Sequence, residues 1–132
     1  MKLYRTMKVA PAGGPLVGQR RSMLGVRPTD PTNATPGRRA DVSAVTDTDP
    51  VKPKSDEGLS VYTDPAMLKL GRGEVVWVID TDDLPPTLAY TPDHEPHGLI
   101  TPAVPMTLGQ FQAELAATAD LWEVPAAEDD AS

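Results

Sequence analysis

The sequence predicts an α+β fold: a small domain with a mostly antiparallel sheet, one C-terminal helix and a long N-terminal loop. Short runs rich in β-branched and aromatic residues, each closed by Gly, Pro or Asp, occur between residues 58 and 106, as expected of strands. The segment that follows has helical spacing of its apolar residues. Residues 11–57 hold seven Pro and show no lasting periodicity, which indicates a loop that is ordered only in part.

Size and composition favour one intracellular domain. The 132 residues suit a single domain, which we assign to residues 1–124, with 125–132 as a mobile acidic tail. The absence of Cys excludes disulfides and thiolate metal sites. The first residues lack the apolar core of a secretory signal, and no run approaches the roughly 18 apolar residues of a membrane helix. We therefore expect a cytoplasmic protein that has no contact with a membrane.

The net charge of −7 is unevenly distributed. Residues 1–55 carry ten Lys/Arg and four Asp/Glu, whereas residues 56–132 carry two Lys/Arg and fifteen Asp/Glu. The acidic half argues against binding of a nucleic-acid backbone. The basic half either folds over the acidic half, holds a phosphorylated small ligand, or is simply solvated, and charge pattern alone leaves these open.

The first strand is predicted over Lys2–Lys8, where polar and apolar residues alternate. This alternation puts Leu3, Arg5 and Met7 on one face. Because Arg is rarely buried without a partner, Arg5 either pairs with a carboxylate within the fold or lines a pocket that receives an anion.

The long loop carries small apolar segments among its Pro and Gly residues. We expect Met23–Val26 and Asp41–Val42 to pack on the sheet, since they hold its clearest apolar groups. Thr46–Asp56 is richer in charge and Pro, and we expect it to be mobile.

Gly58 opens the second strand, and Asp64 then caps a short helical turn that begins at Pro65. Val75–Ile79 is almost wholly apolar, which predicts a central strand buried on both faces. Asp80–Asp83 contains three acids, which we interpret as a solvated turn rather than a metal site.

Two further strands and the helix complete the domain. Leu88–Tyr90 is predicted as an edge strand, Thr91–Pro96 as a polar loop, and His97–Thr101 as the last strand. Thr107 and Gln110 form a predicted capping box at the start of the helix. The helix should end at Pro125, and its predicted buried face consists of Leu108, Phe111, Leu115, Thr118 and Trp122.

The sequence lacks the common phosphate-loop, zinc-protease and nucleophile-elbow motifs. His94, Glu95 and His97 have spacing that permits metal ligation, but two His and one carboxylate on a loop are weak support, and we predict no metal.

A different set of residues fits cleavage of the N-glycosidic bond of NAD, which passes through a positively charged oxocarbenium-like sugar. Arg5 on the first strand can hold the diphosphate or ribose. Ser60 on the second strand can orient the reacting groups. His97 at the start of the last strand, or Glu95 before it, can hold a ribose hydroxyl and stabilise the developing charge.

Five segments, in this order, resemble a known family. They are LYR near the start, N-x-TPG followed by Asp41-Val42, GLSVYTD, V-I-D-x-x-D-L-P-P-x-L, and HGLITPAVPM. From Leu3 to about Leu115 the chain resembles the "exported effector two" family of toxins, which are ADP-ribosyltransferase-like and exported by type VI secretion. The resemblance implies an ADP-ribosyltransferase-like fold and an enzyme that consumes NAD as substrate.

The resemblance also assigns residues and partners. It implies Arg5, Ser60 and His97 as catalytic residues, with Arg5, Ser60 and Tyr62 contacting NAD. Glu95 is the stand-in candidate for the glutamate that better-known ADP-ribosylating toxins place near this point, and the choice between His97 and Glu95 stays open. The family's Thr-Ser pair falls on Leu59-Ser60, so its Thr is missing. A cognate immunity protein and an acceptor macromolecule, with nucleic acid the less favoured class, are the implied partners. Delivery into a target cell's cytoplasm would need no signal peptide.

Two other functions remain open at this stage: an NAD glycohydrolase toxin that uses water as acceptor, and a non-enzymatic acidic module that binds a basic protein. The NAD hypothesis makes a geometric prediction. We expect Arg5, Ser60 and His97 to lie on one face of the sheet, within about 10 Å of a common point. Tyr62 should lie on the same face as Ser60, beside an open cavity that Trp77 does not fill.

Overall fold

A computed structural model describes residues 1–32 and 40–125. The five strands that the sequence predicts are β1 (Lys2–Lys8), β3 (Leu59–Tyr62), β4 (Glu74–Asp80), β5 (Leu88–Pro92) and β6 (His97–Pro102). They form one antiparallel sheet in the order β4-β1-β3-β6-β5. Two short strands, β2 (Pro50–Val51) and β7 (Met106–Thr107), pair separately, and helix α1 spans Leu108–Ala117. The α+β prediction is confirmed. The N-x-TPG segment and residues 126–132 of the predicted tail lie outside the described residues.

The core lies on one face of the sheet. On β1, Leu3, Arg5 and Met7 are buried, while Tyr4 and Thr6 between them are half-buried, which confirms the predicted alternation. The helix packs its own apolar face on the same core, and burial of each large aliphatic side chain stabilises the fold by roughly 1.5–3 kcal/mol. The helical residues involved are Leu108, Phe111 and Leu115.

Helix α1 begins as predicted and ends earlier. The Gln110 amide donates to Thr107 Oγ1 at 3.2 Å, and the Thr107 amide donates to Gln110 Oε1 at 2.9 Å, which confirms the capping box. The helix ends at Ala117, not at Pro125, because a 3₁₀ turn over Ala119–Leu121 replaces its last predicted turn. Trp122 nevertheless stays on the buried side, where its Nε1 donates to Thr118 Oγ1 at 3.0 Å.

The prediction that Val75–Ile79 is a central strand is wrong. This segment belongs to β4, which lies at the edge of the sheet and pairs with β1 along its whole length. On its outer side, the Val78 amide donates to the Glu123 carbonyl at 2.7 Å. Trp77 and Ile79 are buried, whereas Val76 and Val78 are half-buried. A run of apolar residues indicates that both faces of a strand are covered. It does not indicate whether the strand has neighbours on both edges or on one.

The turn after β3 and the last hairpin follow the prediction closely. Asp64 caps a 3₁₀ turn at Pro65–Met67, with its Oδ1 accepting from the Ala66 amide at 2.9 Å. Strand β5 is the other edge of the sheet, as predicted. It continues to Pro92, so the polar loop expected over Thr91–Pro96 is shorter than predicted.

The long loop contributes to the core at several points. Leu24, Val26 and Val42 are buried. The Gln112 side chain on α1 accepts from the Val26 amide at 3.0 Å and donates to the Val26 carbonyl at 2.8 Å. Thr46–Asp56, which we expected to be mobile, instead contains β2 and buries Val51. The expectation failed because it rested on the average composition of the segment, which is rich in charge and Pro. A single buried residue, Val51, is enough to attach the segment to the core.

Candidate active site

A cavity of about 320 Å³ lies beside β1 and β3. The ladder between these strands pairs Tyr4 with Tyr62. Four residues of the cavity wall are cationic, and the others are polar, aromatic or apolar; the lining is Arg5, Arg21, Arg27, Lys69, Asp41, Thr6, Ser60, Tyr62, Met67 and Leu68. Its size falls in the range of small-molecule sites. Trp77 lies in the core and does not line it.

Arg5 is held by backbone carbonyls. Its Nη1 donates to the Ser60 carbonyl at 2.9 Å, and its Nη2 donates to the carbonyls of Arg21 and Met23 at 2.8 and 2.9 Å. Burial lowers the pKa of Arg5 to about 10, and the nearby Asp41 carboxylate opposes that shift. The side chain therefore stays charged at neutral pH. Within the part of the chain that the structure describes, Arg5 Nε is buried and has no hydrogen-bond partner.

The expectation that Arg5 and Ser60 share one face of the sheet is wrong. Tyr4 and Tyr62 are directly paired and so lie on the same face. Arg5 follows Tyr4 and points to the opposite face, whereas Ser60 lies two residues from Tyr62 and shares its face. Both residues still line the cavity, because the long Arg5 side chain reaches the Ser60 backbone. The predicted alternation of side chains holds within β1 and within β3. The prediction failed because it assumed a register between the two strands that would pair Arg5, rather than Tyr4, with the face of Ser60.

Ser60 and His97 do come together. Because β3 and β6 pair Ser60 with Leu99 and Tyr62 with His97, the Ser60 and His97 side chains lie diagonally on one face. Ser60 Oγ and His97 Nε2 are 2.7 Å apart. On the other side of the imidazole, His97 Nδ1 lies 3.0 Å from Asp93 Oδ2. The three side chains thus form a hydrogen-bonded row, Asp93–His97–Ser60.

His97 is also fixed by its aromatic neighbour. The Tyr62 and His97 rings are edge-to-face, with centroids 5.0 Å apart and planes at 66°. Tyr62 lines the cavity, whereas His97 does not line it and is connected to it through the Ser60 hydroxyl. At Gly98, which follows His97, a Cβ would collide with the Tyr90 ring, so glycine allows Tyr90 to pack against this strand.

Glu95 lies away from the cavity. Its carboxylate accepts long hydrogen bonds of 3.4 Å from Thr63 Oγ1 and Tyr90 Oη. Burial and the negative charge of Glu95 raise the pKa of Tyr90. Among the described residues that line the cavity, Asp41 is the carboxylate, and it forms a bidentate pair with Arg27 at 3.0 and 3.1 Å.

Possible metal ligands do not cluster among the residues that the structure describes. In residues 1–32 and 40–125, no group of three or more His, Asp or Glu side chains is arranged to hold a metal. His94 is 91% exposed, and its Nδ1 lies 3.1 Å from Asp93 Oδ1. Asp80 caps the 3₁₀ turn Thr81–Asp83 by accepting from the Asp82 amide.

Among the helices that the structure describes, none has both the length and the apolar character of a membrane span.

Sequence reasoning missed several residues of this site. Asp93 precedes His97 by four residues. In the sequence, that spacing across a turn was the one feature that could have indicated a contact between the two side chains. Arg21, Arg27 and Asp41 come from the long loop, where no periodicity predicts side-chain direction. Lys69 follows the 3₁₀ turn and was equally unmarked.

The chain matches a family model over nearly its whole length. Residues 2–123 match the family model described as the Tse2 ADP-ribosyltransferase toxin. No curated protein matches the chain. No solved structure matches it either.

Proposed function

This chain belongs to the Tse2 ADP-ribosyltransferase toxin family, and from that premise we propose that its cavity binds NAD and that the enzyme cleaves the nicotinamide N-glycosidic bond. The membership makes the protein an ADP-ribosyltransferase toxin. The observation that carries the NAD proposal is the lining of the cavity, which combines cations, an aromatic ring and a serine hydroxyl.

The electrostatics of the cavity suit a diphosphate. Four cationic side chains and one carboxylate line it, in a chain whose net charge is −7. Arg27 is paired with Asp41, and Arg5 is bonded to carbonyls, so Arg21 and Lys69 are the cations we assign to the diphosphate. Both come from exposed positions at the rim, where a charged group can enter with its hydration shell partly intact.

The reacting end of NAD would lie at Ser60 and Tyr62. Tyr62 offers a ring face for nicotinamide, and Ser60 offers a hydroxyl beside the ribose. In the reaction, the bond between ribose C1 and the nicotinamide nitrogen breaks, and nicotinamide leaves with the electron pair. The acceptor nucleophile then bonds to C1 and loses its proton. Positive charge on the sugar develops between these events, so an oxygen lone pair directed at C1 lowers the barrier.

Arg5 is assigned a positioning role. Its guanidinium holds the Ser60 carbonyl and the loop carbonyls of Arg21 and Met23, so it fixes both walls of the cavity relative to each other. Glu95 is not assigned a role in NAD binding, because its contacts are with Thr63 and Tyr90.

The test is release of nicotinamide from NAD by the purified chain. Ser60→Ala should lower kcat, and Arg21→Gln or Lys69→Gln should raise KM several-fold by removing diphosphate contacts. Arg20→Gln is the matched control, since Arg20 is an exposed neighbour that does not line the cavity. Equal effects at Arg20 and Arg21 would contradict the assigned diphosphate site, and no nicotinamide release by the wild type would contradict the proposal itself.

The same assay separates transfer from hydrolysis. NAD labelled in its adenylate half is incubated with the enzyme and a bacterial extract, and the protein and nucleic-acid fractions are counted separately. Label in a macromolecule supports transfer and identifies the class of acceptor. Label found only in free ADP-ribose would make the enzyme an NAD glycohydrolase.

We also propose that the toxin acts in the cytoplasm of a target bacterium and is neutralised by an immunity protein. The toxin family supports this proposal. Co-expression of a gene adjacent to the toxin's own should restore growth, and the two products should co-purify. If a Ser60→Ala chain that releases no detectable nicotinamide is as toxic as the wild type, the enzyme does not cause the toxicity, and the non-enzymatic alternative holds.

A further inference from the structure

We propose that Asp93 is a positioning residue, which fixes the tautomer of His97 so that Ser60 presents oxygen lone pairs, and not its proton, to the cavity. The role rests on the proposed function, because it concerns stabilisation of a cationic sugar at that site. The geometry itself does not depend on NAD.

The argument begins with the direction of each hydrogen bond. Asp93 Oδ2 can only accept, so the 3.0 Å contact requires a proton on His97 Nδ1. In the neutral ring, Nε2 then carries a lone pair and accepts from the Ser60 hydroxyl at 2.7 Å. With its proton committed to His97, Ser60 has only lone pairs left to direct toward the cavity that it lines.

The opposite tautomer would have the opposite effect. If Nε2 carried the proton, it would donate to Ser60 Oγ, and the Ser60 hydroxyl would point its own proton elsewhere, including into the cavity. A proton there would repel a developing oxocarbenium ion, whereas a lone pair attracts it. The hydrogen bond to Asp93 selects the tautomer of His97 that carries its proton on Nδ1.

The carboxylates nearest the cavity are already engaged by other side chains, so stabilisation of a cationic sugar there depends on Ser60. Asp41 is the carboxylate among the described residues that line the cavity. Two side-chain hydrogen bonds from Arg27 compensate its negative charge. Glu95, the carboxylate that the sequence offered as an alternative to His97, contacts Thr63 and Tyr90 instead. Asp93 is thus the carboxylate linked to the cavity by an unbroken row of short hydrogen bonds, and it acts through two other side chains.

The imidazole at the centre of the row is mostly buried and packs against an aromatic ring. The Tyr62 ring packs edge-to-face on the imidazole, and the His97 side chain is 25% exposed. Asp93 is 38% exposed, and its Oδ2 contacts His97 Nδ1 at 3.0 Å. Its second oxygen contacts His94, which is 91% exposed and can be removed without touching the row.

The first test reads the tautomer directly. In ¹⁵N-labelled protein without NAD, long-range proton–nitrogen NMR distinguishes protonated from unprotonated ring nitrogens. The chain has two His residues, so His94→Ala assigns the His97 signals. We expect a protonated Nδ1 and an unprotonated Nε2, and loss of this preference in Asp93→Ala. A protonated Nε2 in the wild type, whether as the other tautomer or as imidazolium, overturns the proposal.

The second test reads the consequence for catalysis. Asp93→Asn and Asp93→Ala should lower kcat for nicotinamide release at least about tenfold, the scale seen for groups that act through another side chain, with little change in KM. His94→Ala should retain wild-type kcat. Unchanged kcat in both Asp93 variants overturns the proposal even if the tautomer is as expected. Absence of nicotinamide release by the wild type contradicts the proposed function instead and leaves the tautomer to be decided by NMR.

Discussion

The Arg5 guanidinium and the Ser60 hydroxyl belong to opposite faces of the sheet, yet Arg5 Nη1 holds the Ser60 carbonyl at 2.9 Å. The contact joins β1 to β3 through a side chain. It also joins both strands to the loop carbonyls of Arg21 and Met23. Arg5 therefore has a structural function whatever ligand the cavity receives.

Arg5→Ala should destabilise the fold. The change leaves three carbonyls without their charged donor and opens a void, and we expect a loss of about 3 kcal/mol or more in the free energy of unfolding. Urea denaturation followed by circular dichroism measures it. Arg20→Ala, an exposed change of the same kind, should alter stability by less than about 0.5 kcal/mol. Equal stability of Arg5→Ala and the wild type would show that the carbonyl contacts are dispensable.

Gln112→Ala should release the loop from helix α1. Gln112 satisfies both the amide and the carbonyl of Val26, which is fully buried. Losing both hydrogen bonds should cost about 1–3 kcal/mol and speed hydrogen exchange at the Val26 amide. Gln112→Glu keeps the acceptor and loses the donor, so its effect should be intermediate if it stays ionised. Exchange at Val26 as slow in Gln112→Ala as in the wild type would refute this role.

Thr107→Ala should weaken the start of α1. Thr107 Oγ1 accepts from the Gln110 amide, so the substitution leaves a helix amide without its cap. We expect a loss of about 1 kcal/mol in the free energy of unfolding. Thr107→Ser keeps the hydroxyl and is the control. A serine variant as unstable as the alanine variant would mean that the methyl group, not the cap, is what matters.

Asp49 should make stability depend on pH in acid. Its Oδ2 accepts from the amides of Val45 and Thr46, and these hydrogen bonds lower the pKa of Asp49 below its ordinary value of 3.8. Since the folded pKa is the lower one, the stabilisation is complete above pH 3.8 and is lost as pH falls through the folded pKa.

Asp49→Asn tests this dependence, because the amide oxygen can still accept both hydrogen bonds but cannot titrate. The wild type should be the more stable protein near neutral pH, and its advantage should shrink below pH 3.8. Urea midpoints of the two proteins across this range supply the measurement. An advantage that is constant with pH would mean that the carboxylate charge plays no part.

Local patterns determined the elements of this protein. Alternation in Lys2–Lys8 marked β1 and its buried face, and Thr107 with Gln110 marked the start of α1. Such features depend on residues a few positions apart, whose relative geometry the backbone of a strand or helix prescribes. Ser60 and His97 were both named as candidate residues on predicted strands, but their contact depends on the register between β3 and β6, which only the tertiary structure supplies.

The tertiary structure alone decided how those elements align. The order of strands put β4 at the edge, and the Tyr4–Tyr62 register sent Arg5 to the face opposite Ser60. A shift of one residue in register exchanges the two faces of a strand, and no local pattern specifies register between strands distant in sequence. The same holds for Arg27 and Asp41, which meet across a loop, and for Asp93, which becomes a partner of His97 only once the chain has turned back into β6.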